Sequence, residues 1–389
     1  RQRSFELNKI RRLLIKLIAG NFGIMSFGNI YFLLALYMES YGIDDPETIG
    51  WILSAYFAAS TLSRPFVGWI VERFSFKPVL VAASLACIAS GAGVAFSGPS
   101  VPFILFFRAV TGLASSLFIV SLTTYQTLAV PEEVRGSSFT LVTAGTIAPL
   151  VTVVPIAEWL LKTGRAGMYI WLPIFPSLLC LFVALSLRTS DGSFSMRRDW
   201  GSYGEVFRNK ALRILFFSVV FFAITDAAIV SFAGLALEKG LVASSFISAQ
   251  ALTAVLIRLF GYRLMDVMPR TRLAALSFSI TAGCLFGATF AKSNAAFVLW
   301  GVLFGIAMGY GFPMHLSLIG DAVVDKLRPK ATSMVWFLMA GCFFLSPVIT
   351  GYLARWLSFA AAYRIIMGCI LAAAPLMHRQ FLKHFPKDS

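Results

Sequence analysis

Residues 62–74 read LSRPFVGWIVERF and residues 256–268 read LIRLFGYRLMDVM, and in each an arginine precedes an acid by eight residues. The pairs are Arg64 with Glu72 and Arg258 with Asp266, followed by Arg73 and Lys77 in one copy and by Arg270 and Arg272 in the other. Each stretch closes an apolar run long enough to cross a bilayer. A second echo supports the first. RGSS at 135–138 and KATS at 330–333 each open an apolar run that then carries a small residue and a proline, Ala148-Pro149 and Ser346-Pro347. Duplication accounts for both echoes, so the chain divides into two related halves.

Working outward, apolar runs fill the 389 residues, of which 58% are hydrophobic and 13% charged; a soluble domain carries about 25% charged residues. The expected spans are 17–38, 48–71, 78–97, 101–127, 138–161, 168–187, 213–237, 243–265, 273–291, 295–320, 332–354 and 358–377. Twelve spans predict an all-α membrane protein with halves at 1–187 and 212–389, joined by a polar loop at 188–211. No room is left for a soluble domain, and the basic N-terminal residues lead into span one without a small-residue cleavage site.

A net charge of +15 would suggest nucleic acid in a soluble protein. Here the positions of the charges decide, and they exclude that partner. Lys and Arg gather on one side of the spans, and only Lys162, Arg165, Lys239, Lys292 and Arg355 fall on the other. By the positive-inside rule both termini are cytoplasmic, and the expected location is a bacterial inner membrane. The five cysteines fall within spans at no metal-ligand spacing, so apolar packing is their expected role and neither metal nor cofactor is implied.

Gly68-Trp-Ile-Val-Glu72-Arg73-Phe-Ser-Phe-Lys77 resembles the major facilitator signature between spans two and three, usually Gly-x-x-x-Asp-Arg-x-Gly-Arg-Lys. Glu72 stands for the Asp, Ser75 for the second Gly and Phe76 for an Arg. The expectation is that the charges survive and the tight turn does not. Arg108-Ala-Val-Thr-Gly112 resembles the family's span-four motif, often seen in exporters, and Arg64-Pro65-x-x-Gly68 resembles the arabinose-efflux-like and metallophore-exporter branch. The glycine-rich span-five motif of exporters is degraded here to Ala144-x-x-x-Ala148-Pro149, which leaves direction open. The resemblance implies a monomeric secondary transporter working by alternating access, with spans one, four, seven and ten lining its cavity.

An ionisable side chain inside a bilayer costs roughly 2.5–3.5 kcal/mol, so each needs a partner or a purpose. Asp226, thirteen residues into the expected span seven, is the one acid near mid-membrane. A carboxyl there can load and release a proton as its surroundings change side. An interhelical bond or a contact to a cationic solute are the alternatives. Arg108 lies at a similar depth in span four, where it suits an anionic group or, equally, neighbouring carbonyls. Asn21, Met25 and Asn29 form a stripe on span one, and Phe222, Tyr310 and His315 add to the candidate cavity lining. Arg64, Glu72, Arg73, Lys77, Arg135, Arg258, Asp266, Arg270, Arg272 and Lys330 are expected to form a cytoplasmic ring of gate charges. Span ten also carries the ladder Gly301, Gly305, Gly309, suited to close helix packing.

These features predict proton-coupled export of a drug-like or metal-chelating metabolite. The alternatives are proton-driven import of an organic anion, such as a ferric chelate or sugar acid, and a transporter-like receptor or scaffold. His-Glu-x-x-His is absent, and fixed-site catalysis is not expected.

Overall fold

The computed structural model describes residues 2–43, 46–187 and 200–385. Most of the expected central loop, 188–199, lies outside the described residues. Among those described, eleven helices are long and apolar enough to cross a membrane. Between the first two, Ile10–Leu33 and Phe76–Phe96, runs a further helix of 29 residues, Pro46–Phe74, which carries Arg64, Glu72 and Arg73 along its length. Together they make the twelve spans of an all-α membrane protein. The N-terminal basic residues extend the first helix outward to Gln2.

Most boundaries fall within a few residues of expectation, and span eight ends short of it. It runs Ala243–Phe260 and stops at Gly261, five residues early. The Gly261 carbonyl there accepts from the Tyr310 hydroxyl, and a side chain at Gly261 would collide with that hydroxyl. A separate short helix, Leu264–Val267, then carries Asp266.

The tight turn after Glu72 and Arg73 is present, against expectation. Ser75 adopts φ 67° and ψ 163°, the one positive φ outside glycine among the described residues. Span three starts at the next residue, so the chain reverses over one position although no glycine supplies the conformation.

The chain packs as two compact units, and their limits are not those of the sequence halves. Pro131–Leu141 belongs to the second unit, and Thr332–Met334 belongs to the first. These are the segments around RGSS and KATS. In the first unit, Gly112 brings span four against span two, where an added side chain would meet the Tyr56 carbonyl, and Gly145 brings span five to the Ile18 carbonyl of span one. In the second, Gly301 and Gly305 set span ten against span eight. A Cβ there would lie 2.6 Å from the Phe246 carbonyl or 2.5 Å from that of Gln250. Gly309 meets Ile257 and Ala254 of the same helix, so the whole ladder is spent on one helix pair.

Spans one and seven break alike. Span one is α-helical to Ile30, passes through the 3-10 turn Tyr31–Leu33 and resumes at Leu34. Span seven is α-helical to Ala227, passes through Ala228–Ser231 and resumes at Phe232. A 3-10 turn inside a long helix often marks a hinge or a functional site. Here both turns sit beside the charges singled out in the sequence.

Candidate functional site

In the first unit, Arg108 is 2% exposed. Its guanidinium lies 4.7 Å from the centre of the Tyr31 ring and 4.9 Å from that of Tyr56. Tyr31 comes from the 3-10 turn of span one and Tyr56 from span two, so three elements enclose one cation. Among the described residues its one side-chain hydrogen bond is a long one, Nη1 to Thr111 Oγ1 at 3.4 Å, and the Thr111 hydroxyl itself donates to the Arg108 carbonyl at 2.6 Å. Among the described residues Nε has no partner, and neither does the buried Tyr31 hydroxyl. Among the described residues of this unit no carboxylate pairs with Arg108. Ring faces offset part of the cost of burying a guanidinium, yet its hydrogen-bonding fork stays largely unused.

The span-one stripe lies in the same unit. Asn21 is buried and donates to its own Leu17 carbonyl at 3.1 Å, which satisfies the amide within its helix. Met25 and Asn29 are half-buried, and Asn29 makes no side-chain hydrogen bond among the described residues.

In the second unit, Asp226 occupies the last α-helical turn of span seven. The helix begins at Lys210, three residues before expectation, so Asp226 lies about 24 Å along it. The carboxylate is half-buried and makes no hydrogen bond or ion pair among the described residues. The opposing charge that acts on it is Arg258 of span eight. Arg258 is 1% exposed, donates to the carbonyls of Met308 and Gly309 at 3.4 Å each, and lies 5.3 Å from the Phe312 ring centre. Arg258 is thus buried between spans eight and ten.

His315 and Phe222, expected on a cavity wall, have no exposed surface. The rings stack with centroids 4.9 Å apart, and both imidazole nitrogens are engaged, Nδ1 with the Gly311 carbonyl at 2.7 Å and Nε2 with Ser218 Oγ at 2.8 Å. A carbonyl only accepts, so Nδ1 carries the proton and Nε2 accepts from Ser218. Both residues are packed in the interior of the unit. Tyr310 is half-buried and tied to Gly261.

The charges at the span ends separate into groups. Asp321 accepts from Arg135, and from Arg270 Nη1 at 3.0 Å and 2.8 Å on its two oxygens. Arg270 also donates to the Glu132 carbonyl at 2.7 Å. Asp266 Oδ1 accepts from the Ser137 amide at 2.9 Å, and Gly136 lets the chain approach, since a Cβ there would lie 2.7 Å from the Met265 carbonyl. Lys330 stacks at 5.7 Å on Tyr203. Arg64, Glu72, Arg73 and Lys77 belong to the first unit. Arg272 is exposed and forms no ion pair among the described residues. In what is described of the central loop, Ser202 and Glu205 form a capping box, and the Ser202 amide and Lys326 hold the Glu205 carboxyl below its usual range.

Asp321 is the residue that sequence reasoning missed. The repeat carried the signal: aligning RGSS with KATS sets Asp321 opposite Gln126, a carboxylate gained in one half only. Among the described residues no group of His, Cys, Asp and Glu is arranged to hold a metal. Four cysteines are buried and Cys369 is exposed, all as free thiols.

The sequence model of the Major Facilitator Superfamily matches residues 17–246 and again 215–387. Rat organic anion transporter 3 is 32% identical over 141 residues, which are 35% of this chain and 25% of that protein, so the match spans only a quarter of the relative. Among solved structures, the human organic anion transporter TETRAN superimposes with a TM-score of 0.79 at 14% identity, covering 94% of this chain and 99% of that one. The E. coli fucose:proton symporter gives 0.76 at 14% identity, covering 95% and 98%, and a proton:xylose symporter gives 0.75 at 14%, covering 97% and 96%. At that identity these likenesses speak for the fold. With twelve spans in two related halves and the family match over nearly the whole length, the chain is a multi-pass membrane transporter and belongs to the Major Facilitator Superfamily.

Proposed function

We propose that this protein is a monomeric secondary transporter that moves a small organic anion in a proton-coupled cycle by alternating access. Arg108 anchors the anion and Asp226 carries the proton. The observation behind this reading is Arg108 itself: a buried guanidinium between two tyrosine rings, with Nε unpartnered and no carboxylate beside it in its unit. Burying an uncompensated charge costs several kcal/mol, and an incoming carboxylate or phosphate offsets that cost while it is bound. Aromatic walls favour a solute with an apolar body. The organic anion transporters among the similar proteins support the same class. This favours the organic-anion alternative over export of a drug-like or metal-chelating metabolite.

Asp226 supplies the coupling. Its carboxylate has no hydrogen bond to lose, and the Arg258 charge acts on it within the same unit. Proton symporters of this fold make coupling a consistent choice. The charge distribution supports an inner-membrane location with both termini cytoplasmic, and in that reading the Asp321 cluster is part of the cytoplasmic gate. The test is transport in proteoliposomes with a labelled aromatic carboxylate, with and without an imposed pH gradient. Asp226→Asn is expected to keep counterflow exchange and lose gradient-driven accumulation. Full gradient-driven accumulation in the variant would overturn the coupling role.

A further inference from the structure

The second unit carries a cavity of about 520 Å³ that the transport reading does not use. It lies between the start of span seven and the end of span twelve. Lys210, Arg213 and His384 stand at one end, and Phe217, Phe221 and Leu376 line the rest. Lys210 and Arg213 are exposed and form no ion pair among the described residues. Lys210 opens a membrane span and His384 ends the helix of another, so the basic end lies at headgroup level. Phe217 and Leu376 are 61% and 60% exposed, which continues the groove onto the lipid-facing surface. Lys210 and Arg213 also sit in the first turn of an 18-residue helix, whose N-terminal dipole favours negative charge.

We infer that this groove binds one anionic phospholipid, its phosphate held by Lys210 and Arg213 and an acyl chain laid along Phe217, Phe221 and Leu376. Charge complementarity selects the headgroup and the aromatic floor selects a lipid over a soluble ion. A free phosphate would use the cations and leave the groove empty. A zwitterionic lipid would bring a choline against two cations.

The test is native mass spectrometry of the full chain released from nanodiscs of phosphatidylcholine with one fifth phosphatidylglycerol. The expected result is a phosphatidylglycerol adduct enriched about tenfold over its bulk share. Lys210→Gln/Arg213→Gln should remove the enrichment. Leu376→Trp, which fills the groove and keeps both cations, should remove it as well. Lys239→Gln/Arg355→Gln, which removes two cations elsewhere on the same unit, should leave it intact. Equal enrichment in the wild type and the Lys210→Gln/Arg213→Gln variant would overturn the inference. So would displacement of the adduct by millimolar inorganic phosphate with enrichment unchanged in Leu376→Trp, which would mark a phosphate site.

Discussion

Arg108 lies 4.7 Å from the ring centre of Tyr31, and Tyr31 belongs to the 3-10 turn that interrupts span one. The cation of span four therefore rests on a segment that is not α-helical. A solute anion that draws on the guanidinium changes the load on that turn, which links binding in the first unit to a hinge. The predicted consequence is that Tyr31→Leu, which keeps bulk and removes the ring quadrupole that offsets part of the cost of the buried charge, strengthens anion affinity several-fold, since a ring contact of this kind is worth about 0.5–2 kcal/mol. Equilibrium binding of a labelled carboxylate checks it, with unchanged affinity as the contrary outcome.

Asp321 bridges Arg135 and Arg270. Removing its charge should free the start of span five. In a Cys369→Ser background, a cysteine at Ser137 should react with a hydrophilic maleimide at least about tenfold faster in Asp321→Asn, as a loss of about 1.4 kcal/mol would give. Equal rates would show that the ion pairs do not hold this segment.

His315 is locked by Gly311 and Ser218. Ser218→Ala is expected to cost about 1–3 kcal/mol of stability, the usual penalty for leaving a buried polar atom unpaired, and to lower the unfolding temperature. The pH profile of transport should stay where it was, in contrast to Asp226→Asn. A displaced profile with unchanged stability would put His315 on the proton pathway.

Ser75 occupies a backbone region that is nearly confined to glycine, which stores of order 1–3 kcal/mol. Ser75→Gly should stabilise the protein by about 1 kcal/mol, and thermal unfolding should show a rise of a degree or more. A fall would mean that the Ser75 side chain contributes more than the strain costs.

Much of the fold was legible in sequence because a bilayer imposes its own ruler: apolar length gave the spans, and the Arg64/Glu72 echo in Arg258/Asp266 gave the two halves. The turn at Ser75 was misread because residue type was taken to set φ, whereas the flanking helices impose it. At the candidate site, depth along a helix located Arg108 and Asp226 but carried no rotational information. The tyrosine cage of Arg108, the burial of His315 behind Phe222, and the capture of Arg258 by span-ten carbonyls depend on which face each helix turns inward. Asp321 was passed over because it lies near a span end, where acids are common, although its repeat partner Gln126 marked it.

The most direct test of the account is equilibrium binding of a labelled aromatic carboxylate to wild-type protein, Arg108→Lys and Arg108→Gln, with folding checked by thermal unfolding. The account predicts that Arg108→Gln, folded, loses at least about tenfold in affinity for the carboxylate and none for its neutral amide analogue, while Arg108→Lys keeps part of the affinity. Equal carboxylate affinity in wild type and Arg108→Gln would contradict it.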